Sequence, residues 1–93
     1  MKRMDIQRDI TDFVCRTFMV DEEEIDLDKS LVDQGILDSF GLMEIAVHLK
    51  RQLAVETEQA EITRENFGSL LRIVAYVERK LQEETLKVES ISG

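Results

Sequence analysis

Residues 35–45 read Gly-Ile-Leu-Asp-Ser-Phe-Gly-Leu-Met-Glu-Ile, and they set an acid beside a hydroxyl where a loop turns into an apolar helix. Ser39 is the only hydroxyl between Ser30 and Thr57. Three kinds of chemistry fit such a serine. As a nucleophile it would need a base within about 3 Å, and the only histidine, His48, lies nine residues along the same helix. Nine steps of about 100° and about 1.5 Å turn His48 to the opposite side, roughly 13 Å up the axis. The nucleophile-elbow pattern also fails, because position 37 is Leu where Gly is required, although Gly41 matches. No triad can be assembled. As a cap, Ser39 would bond free N–H groups, yet Asp38 already suits that position. As an attachment point, a hydroxyl in the first helical turn is exposed at the positive end of the helix dipole, where a phosphodiester is stabilised.

Metal chemistry has little to work with. Asp26, Asp28 and Ser30 copy the start of a Ca²⁺ loop, but its sixth and twelfth positions are Leu31 and Leu37. That loop needs Gly for the turn and Glu for the charge there. The single His48 and single Cys15 offer no zinc spacing. No metal is expected.

The elements that must position Ser39 follow from hydrophobic spacing. Ile6, Ile10, Phe13, Val14 and Phe18 form one helical stripe over residues 4–19, with Asp5, Asp9, Asp12 and Arg16 on the opposite side. Residues 20–38 have no sustained period. They form a long loop, with a helical turn near Asp21–Glu24 or Leu31–Val32, pinned to the core by Ile25, Leu27, Leu31, Ile36 and Leu37. The second helix, 39–54, buries Leu42, Ile45, Ala46, Leu49 and Leu53. Phe40, Met43 and Val47 make a second, smaller apolar face beside Ser39, rimmed by Glu44, Lys50 and Arg51. Core packing does not need that face, so it is a candidate for partner docking.

Residues 54–63 read as a loop, and Thr63 caps a single turn at 64–67. Ser69 opens a last helix with the stripe Leu70, Ile73, Val74, Val77 and Leu81, expected to run to about Glu84. Residues 86–93 show no partner pattern and are expected to form a disordered tail after a domain spanning 1–85. The expected fold is an all-α four-helix bundle, with three main helices, a short third helix and a long loop between the first two. Ile6, Ile10, Phe13, Leu42, Ile45, Leu49, Leu70, Val74 and Val77 are the expected core.

The 93 residues allow one small domain, with 43% apolar residues to build its core. The net charge of −8 is concentrated. Asp21, Glu22, Glu23, Glu24, Asp26, Asp28, Asp33 and Asp38 face only Lys29 within residues 21–38. Such a surface repels phosphate backbones and argues against nucleic acid. The N-terminal residues lack the apolar core of a secretory signal, and no run approaches the about 20 apolar residues that cross a bilayer. With one cysteine and no internal disulfide, a cytoplasmic monomer is expected.

With these elements in place, the chain resembles a stand-alone acyl carrier protein of the phosphopantetheine-binding family. The resemblance covers roughly residues 4–84. It rests on Asp38-Ser39-Phe40 followed by Glu44-Ile45, similar to the family's Asp-Ser-Leu…Glu-Leu pattern, and on residues 66–77, similar to its short third helix and last-helix entry. The resemblance implies a four-helix bundle without catalysis of its own. It implies that Ser39, with Asp38 as its motif neighbour, takes 4′-phosphopantetheine from coenzyme A and holds acyl or aminoacyl groups as thioesters. The partners implied are a phosphopantetheinyl transferase, a loading ligase or synthase, and enzymes of a fatty-acid, polyketide, peptide or related specialised pathway. Two features stand apart from fatty-acid carriers. Gly35 lies four residues before Ser39 rather than three, which is similar to D-alanyl carriers and some peptidyl or specialised carriers. The second helix, acidic in fatty-acid carriers, here sets Glu44 against Lys50 and Arg51.

Overall fold

The computed structural model describes residues 2–92, and side chains from Lys2 to Glu83. Four α-helices follow one another: α1 Arg3–Phe18, α2 Ser39–Leu53, α3 Arg64–Phe67 and α4 Leu70–Ser92. Two 3-10 turns, Glu22–Glu24 and Gln59–Glu61, interrupt the loops, and there is no strand among the described residues. The four-helix all-α expectation therefore holds.

Both long N-terminal helices stop because a residue turns left-handed. Met19 and Ala54 have φ of 56° each. The next N–H then folds back, Val20 donating to the Cys15 carbonyl at 3.2 Å and Val55 to the Leu49 carbonyl at 3.1 Å. This is the usual way to satisfy terminal carbonyls, although glycine is its usual residue. It ends each helix one residue earlier than the apolar stripe suggests. The last helix instead continues to Ser92, past the end expected near Glu84. The expectation of a disordered tail falls on side chains outside the described residues.

Ile6, Ile10 and Val14 of α1 are buried with Ile45 and Leu49 of α2 and Leu70, Ile73, Val74 and Val77 of α4. Each such side chain contributes about 1.5–3 kcal/mol by leaving water. Phe13 and Leu42, expected within this core, only flank it. Their places are taken by residues that periodicity did not single out: Phe67, Val55 and Tyr76, whose rings at 67 and 76 lie 5.2 Å apart. The Tyr76 hydroxyl donates to Thr57 Oγ1 at 3.1 Å, which satisfies the one polar atom the ring carries inward.

The 20–38 loop is ordered by the core and by its own hydrogen bonds. Ile25, Leu31 and Leu37 are buried, and Leu27 and Ile36 pack against them. The Leu31 N–H donates to the Gly68 carbonyl at 3.0 Å, and the Leu71 N–H to the Leu27 carbonyl at 3.2 Å. Gln34 clamps the acidic stretch: its Oε1 accepts from the Asp26 N–H at 2.8 Å while its Nε2 donates to the Asp26 and Lys29 carbonyls at 2.9 and 3.0 Å. Gly35 (φ 75°) supplies the left-handed turn that sends the chain towards Ser39. Thr63 and Ser69 cap as expected, accepting from the Asn66 N–H at 3.3 Å and the Arg72 N–H at 3.2 Å.

Candidate functional site

Asp38 is the N-cap of α2. Its backbone is extended, and its Oδ1 accepts from the Gly41 N–H at 3.0 Å. The Asp38 carbonyl accepts from the Leu42 N–H at 3.3 Å. Capping is thus complete without the serine, and Ser39 stands exposed as the first residue of the helix. The N–H groups of Ser39 and Phe40 have no acceptor among the described residues, as helix geometry requires of a first turn. A free hydroxyl and free N–H donors thus meet at one positive helix end.

The position of that helix end depends on Gly41, which is buried. A Cβ there would lie 2.7 Å from Leu37 Cβ and 3.0 Å from the Phe18 ring. Only a residue without a side chain lets the start of α2 sit this close to α1 and to the end of the long loop. From Phe18 an aromatic chain runs inward. Phe13 meets Phe18 edge to face at 6.4 Å, and stacks on the His48 ring at 4.1 Å. His48 is 8% exposed, and its Nε2 lies 2.7 Å from Asp9 Oδ2.

This corrects one expectation. Asp9 does not take the solvent side of α1 with Asp5 and Asp12; it reaches the α1–α2 junction. His48, opposite to Ser39 as expected, is a buried tie between helices. Spacing contains the signal for both Gly41 and His48: positions 41, 45, 48 and 49 form one stripe, of which the apolar pattern marked only Ile45 and Leu49.

The apolar face beside Ser39 is open. Phe40 is 75% exposed, Met43 49% and Val47 53%. The long loop does not cover them. Met43 and Val47 form a ridge between two surface grooves. One, of about 700 Å³, runs along α1 and is lined by residues that include Phe13, Arg16, Phe40, Glu44, His48 and Arg51. The other, of about 400 Å³, lies against the 54–62 loop, with Ala46, Lys50, Glu56, Glu58 and Ile62 in its walls. Glu44, Lys50 and Arg51 are exposed, and none has a charged partner among the described residues. Lys50 and Arg51 also stand in the last turn of α2, where cations suit the dipole. Cys15 is partly buried, and burial pushes its thiol up, with Glu22, Asp12 and Asp21 adding to the effect. It is no nucleophile for this site. No group of three or more metal-ligating side chains occurs among the described residues, and no described helix is long and apolar enough to cross a membrane.

Comparison with known proteins bears on this geometry. The family described as "Phosphopantetheine attachment site" matches residues 8–77, a span that encloses α2 and the Asp38–Ser39 pair. The chain is 32% identical over 75 residues to the D-alanyl carrier protein of Streptococcus pyogenes serotype M5 (strain Manfredo), covering 81% of this chain and 94% of that protein. The D-alanyl carrier proteins of serotype M49 (strain NZ131) and serotype M1 match with the same identity and coverage. A helical bundle that presents a free serine, and a match over most of its length, lead to one conclusion: the chain belongs to the phosphopantetheine-binding carrier proteins, whose cofactor is a covalently attached 4′-phosphopantetheine.

Proposed function

We propose that Ser39 bears the 4′-phosphopantetheine arm and that the chain delivers a small aminoacyl group to partner enzymes without catalysing a reaction itself. One observation carries the proposal. Asp38 turns its carboxylate to the Gly41 N–H, leaving the Ser39 hydroxyl exposed and two N–H groups free at the same helix end. These residues fit the arm's phosphate, a monoanionic diester favoured by a helix N-terminus. When bound, the arm supplies a terminal thiol that holds the carried group as a thioester. The chain itself has only Cys15, raised and partly buried, and so needs that thiol from the cofactor.

An aminoacyl cargo is supported by the relatives, named D-alanyl carrier proteins, and by the spacing from Gly35 to Ser39. A fatty acyl or polyketide cargo is the other reading. A transferase installs the arm and a separate ligase or synthase charges it. Phe40, Met43, Glu44, Val47, Lys50 and Arg51 are the proposed docking face. The chain is read as a cytoplasmic monomer.

Intact mass tests the proposal. Incubation with coenzyme A, Mg²⁺ and a broad-specificity phosphopantetheinyl transferase is expected to add one arm, and Ser39→Ala to abolish the addition. Modification of the alanine variant would place the arm elsewhere. Protein isolated from its own cells then reports its cargo as the mass increment over the holo form. An alanyl increment supports the aminoacyl reading, and a long acyl increment overturns it.

A further inference from the structure

We infer that the groove between α1 and α2 receives an acidic, apolar segment of a partner protein, so that docking charge here runs from cationic carrier to anionic partner. The inference rests on the carrier reading above and names the partner chemistry of the same face.

The protein is strongly acidic, with a net charge of −8. Its surface should on average attract cationic partners. The groove beside Ser39 is the exception. Arg16 and Arg51 line it, against one carboxylate, Glu44. Arg16 donates through Nε to the Asp12 carbonyl at 3.3 Å, a backbone contact that leaves its charge unmatched. Neither guanidinium has a carboxylate partner among the described residues. Asp9, whose carboxylate reaches the α1–α2 junction, is held by His48 instead. The second groove is different, since its walls carry two carboxylates, Glu56 and Glu58, against one cation, Lys50. Charge therefore separates the two sides of the Met43–Val47 ridge.

The apolar component belongs to the same side. Phe40 directly follows Ser39, is three-quarters exposed, and lines the groove with Phe13. A docking segment that buries Phe40, Met43 and Val47 would place its own carboxylates against Arg16 and Arg51. Desolvated guanidinium–carboxylate pairs around an apolar centre fix register and speed encounter. They also discriminate. A cationic segment would meet two unpaired arginines, and like charges across an interface are a means of rejecting wrong partners.

Two synthetic amphipathic helical peptides with the same leucine stripe test the sign, one rimmed by glutamates and one by lysines. They are titrated into the full-length holo protein at low salt and followed by backbone amide shifts. The glutamate peptide is expected to bind, to shift Phe40, Met43 and Val47, and to weaken as NaCl is added. Arg16→Glu combined with Arg51→Glu, both at exposed positions, is expected to weaken it by about tenfold or more and to favour the lysine peptide. Preferential binding of the lysine peptide to the unsubstituted protein overturns the inference. So does absence of binding by the glutamate peptide, shifts confined to other faces, or self-association of the carrier through this groove in sedimentation. The mass of each sample separates the two levels of argument. A sample bearing the arm on Ser39 that fails with the glutamate peptide rejects only the docking sign, whereas failure to load Ser39 rejects the carrier reading.

Discussion

The imidazole of His48 and the carboxylate of Asp9 meet at 2.7 Å between α2 and α1, with the Phe13 ring stacked on the imidazole. The Asp9 side chain is 28% exposed and the histidine far less. A carboxylate acceptor fixes the proton on Nε2. The pair joins the two helices, and its histidine contributes to the wall of the groove between them. Asp9→Ala is expected to cost about 1–3 kcal/mol, because it leaves a buried donor unsatisfied. His48→Ala should cost a similar or larger amount through lost stacking and volume. Urea unfolding measures both. Arm transfer to the folded fraction should be unchanged, and a loss of transfer at full folding would assign the pair a direct role at Ser39.

Gly41→Ala should also destabilise, although alanine is the better helix former by about 1 kcal/mol. The new Cβ would meet Leu37 Cβ at 2.7 Å and the Phe18 ring at 3.0 Å, and neither is a loose chain end. Overpacking of this kind costs about 1–3 kcal/mol. The strain falls at the first turn of α2, so transfer to Ser39 should slow as well. A variant as stable as the parent would show that α1 and the loop can give way there.

The pH profile of stability should follow the Glu61–Lys80–Tyr76 cluster. The Glu58 N–H holds the Glu61 carboxyl below the usual carboxylate range; burial opposes this, and Lys80, 3.2 Å away, adds to it. Its contribution is present above the unfolded carboxyl value of about 4.3 and is lost as pH falls through the lower folded value. Burial alone would pull Lys80 down, but Glu61 and Tyr76 together hold it above the usual ammonium value. Tyr76 is raised by burial. Both groups stabilise the fold below about pH 10, and that stability is lost as pH rises through their folded values. Glu61→Gln should therefore flatten the acid limb of a melting-temperature profile. The acidic loop acts separately. Of its eight carboxylates only Glu22, Asp26 and Asp33 have cation partners among the described residues, so added NaCl should raise the melting temperature by screening.

Thiol chemistry should distinguish the apo and holo forms. Burial and the neighbouring Glu22, Asp12 and Asp21 raise the Cys15 thiol. At neutral pH it should react slowly with iodoacetamide. Loading of the arm should add one fast-reacting thiol, and Ser39→Ala should retain only the slow one. A fast thiol in the apo protein would contradict the burial of Cys15.

Most of the scaffold was legible in the sequence because apolar spacing reports helices directly. The stripes of α1, α2 and α4, the caps Asp38, Thr63 and Ser69, and the anchoring of the long loop by Ile25, Leu31 and Leu37 all follow from local rules. What stayed hidden depends on contacts between segments distant in sequence. No local pattern pairs Asp9 with His48 across 39 positions. None shows that Gln34 ties up the acidic loop, or that Gly41 is required by Phe18. The helix ends at Met19 and Ala54 were obscured because left-handed caps normally announce themselves with glycine. The exposed face at Phe40, Met43 and Val47 was readable as surplus to the core, but the sign of its surroundings was not. Arg16 comes from another helix and joins Arg51 only in three dimensions.

That face yields the last expectation. Met43 and Val47 are about half exposed and line both grooves. Truncation of either removes little buried area, so Met43→Ala and Val47→Ala should leave urea midpoints nearly unchanged. Phe40→Ala belongs with them, at 75% exposure. If the face is where partners dock, each truncation should cost about 1 kcal/mol or more in loading by the charging enzyme, with the largest loss at whichever residue fills a pocket on the partner. Arg51→Glu should act differently, chiefly on the association rate and its salt dependence, because a rim charge steers encounter more than it holds the complex. Loading kinetics at two salt concentrations, paired with unfolding curves for every variant, separate these effects. Midpoints that fall sharply while the folded fraction loads at the parental rate would make the strip part of the core and leave α2 without a docking face on this side.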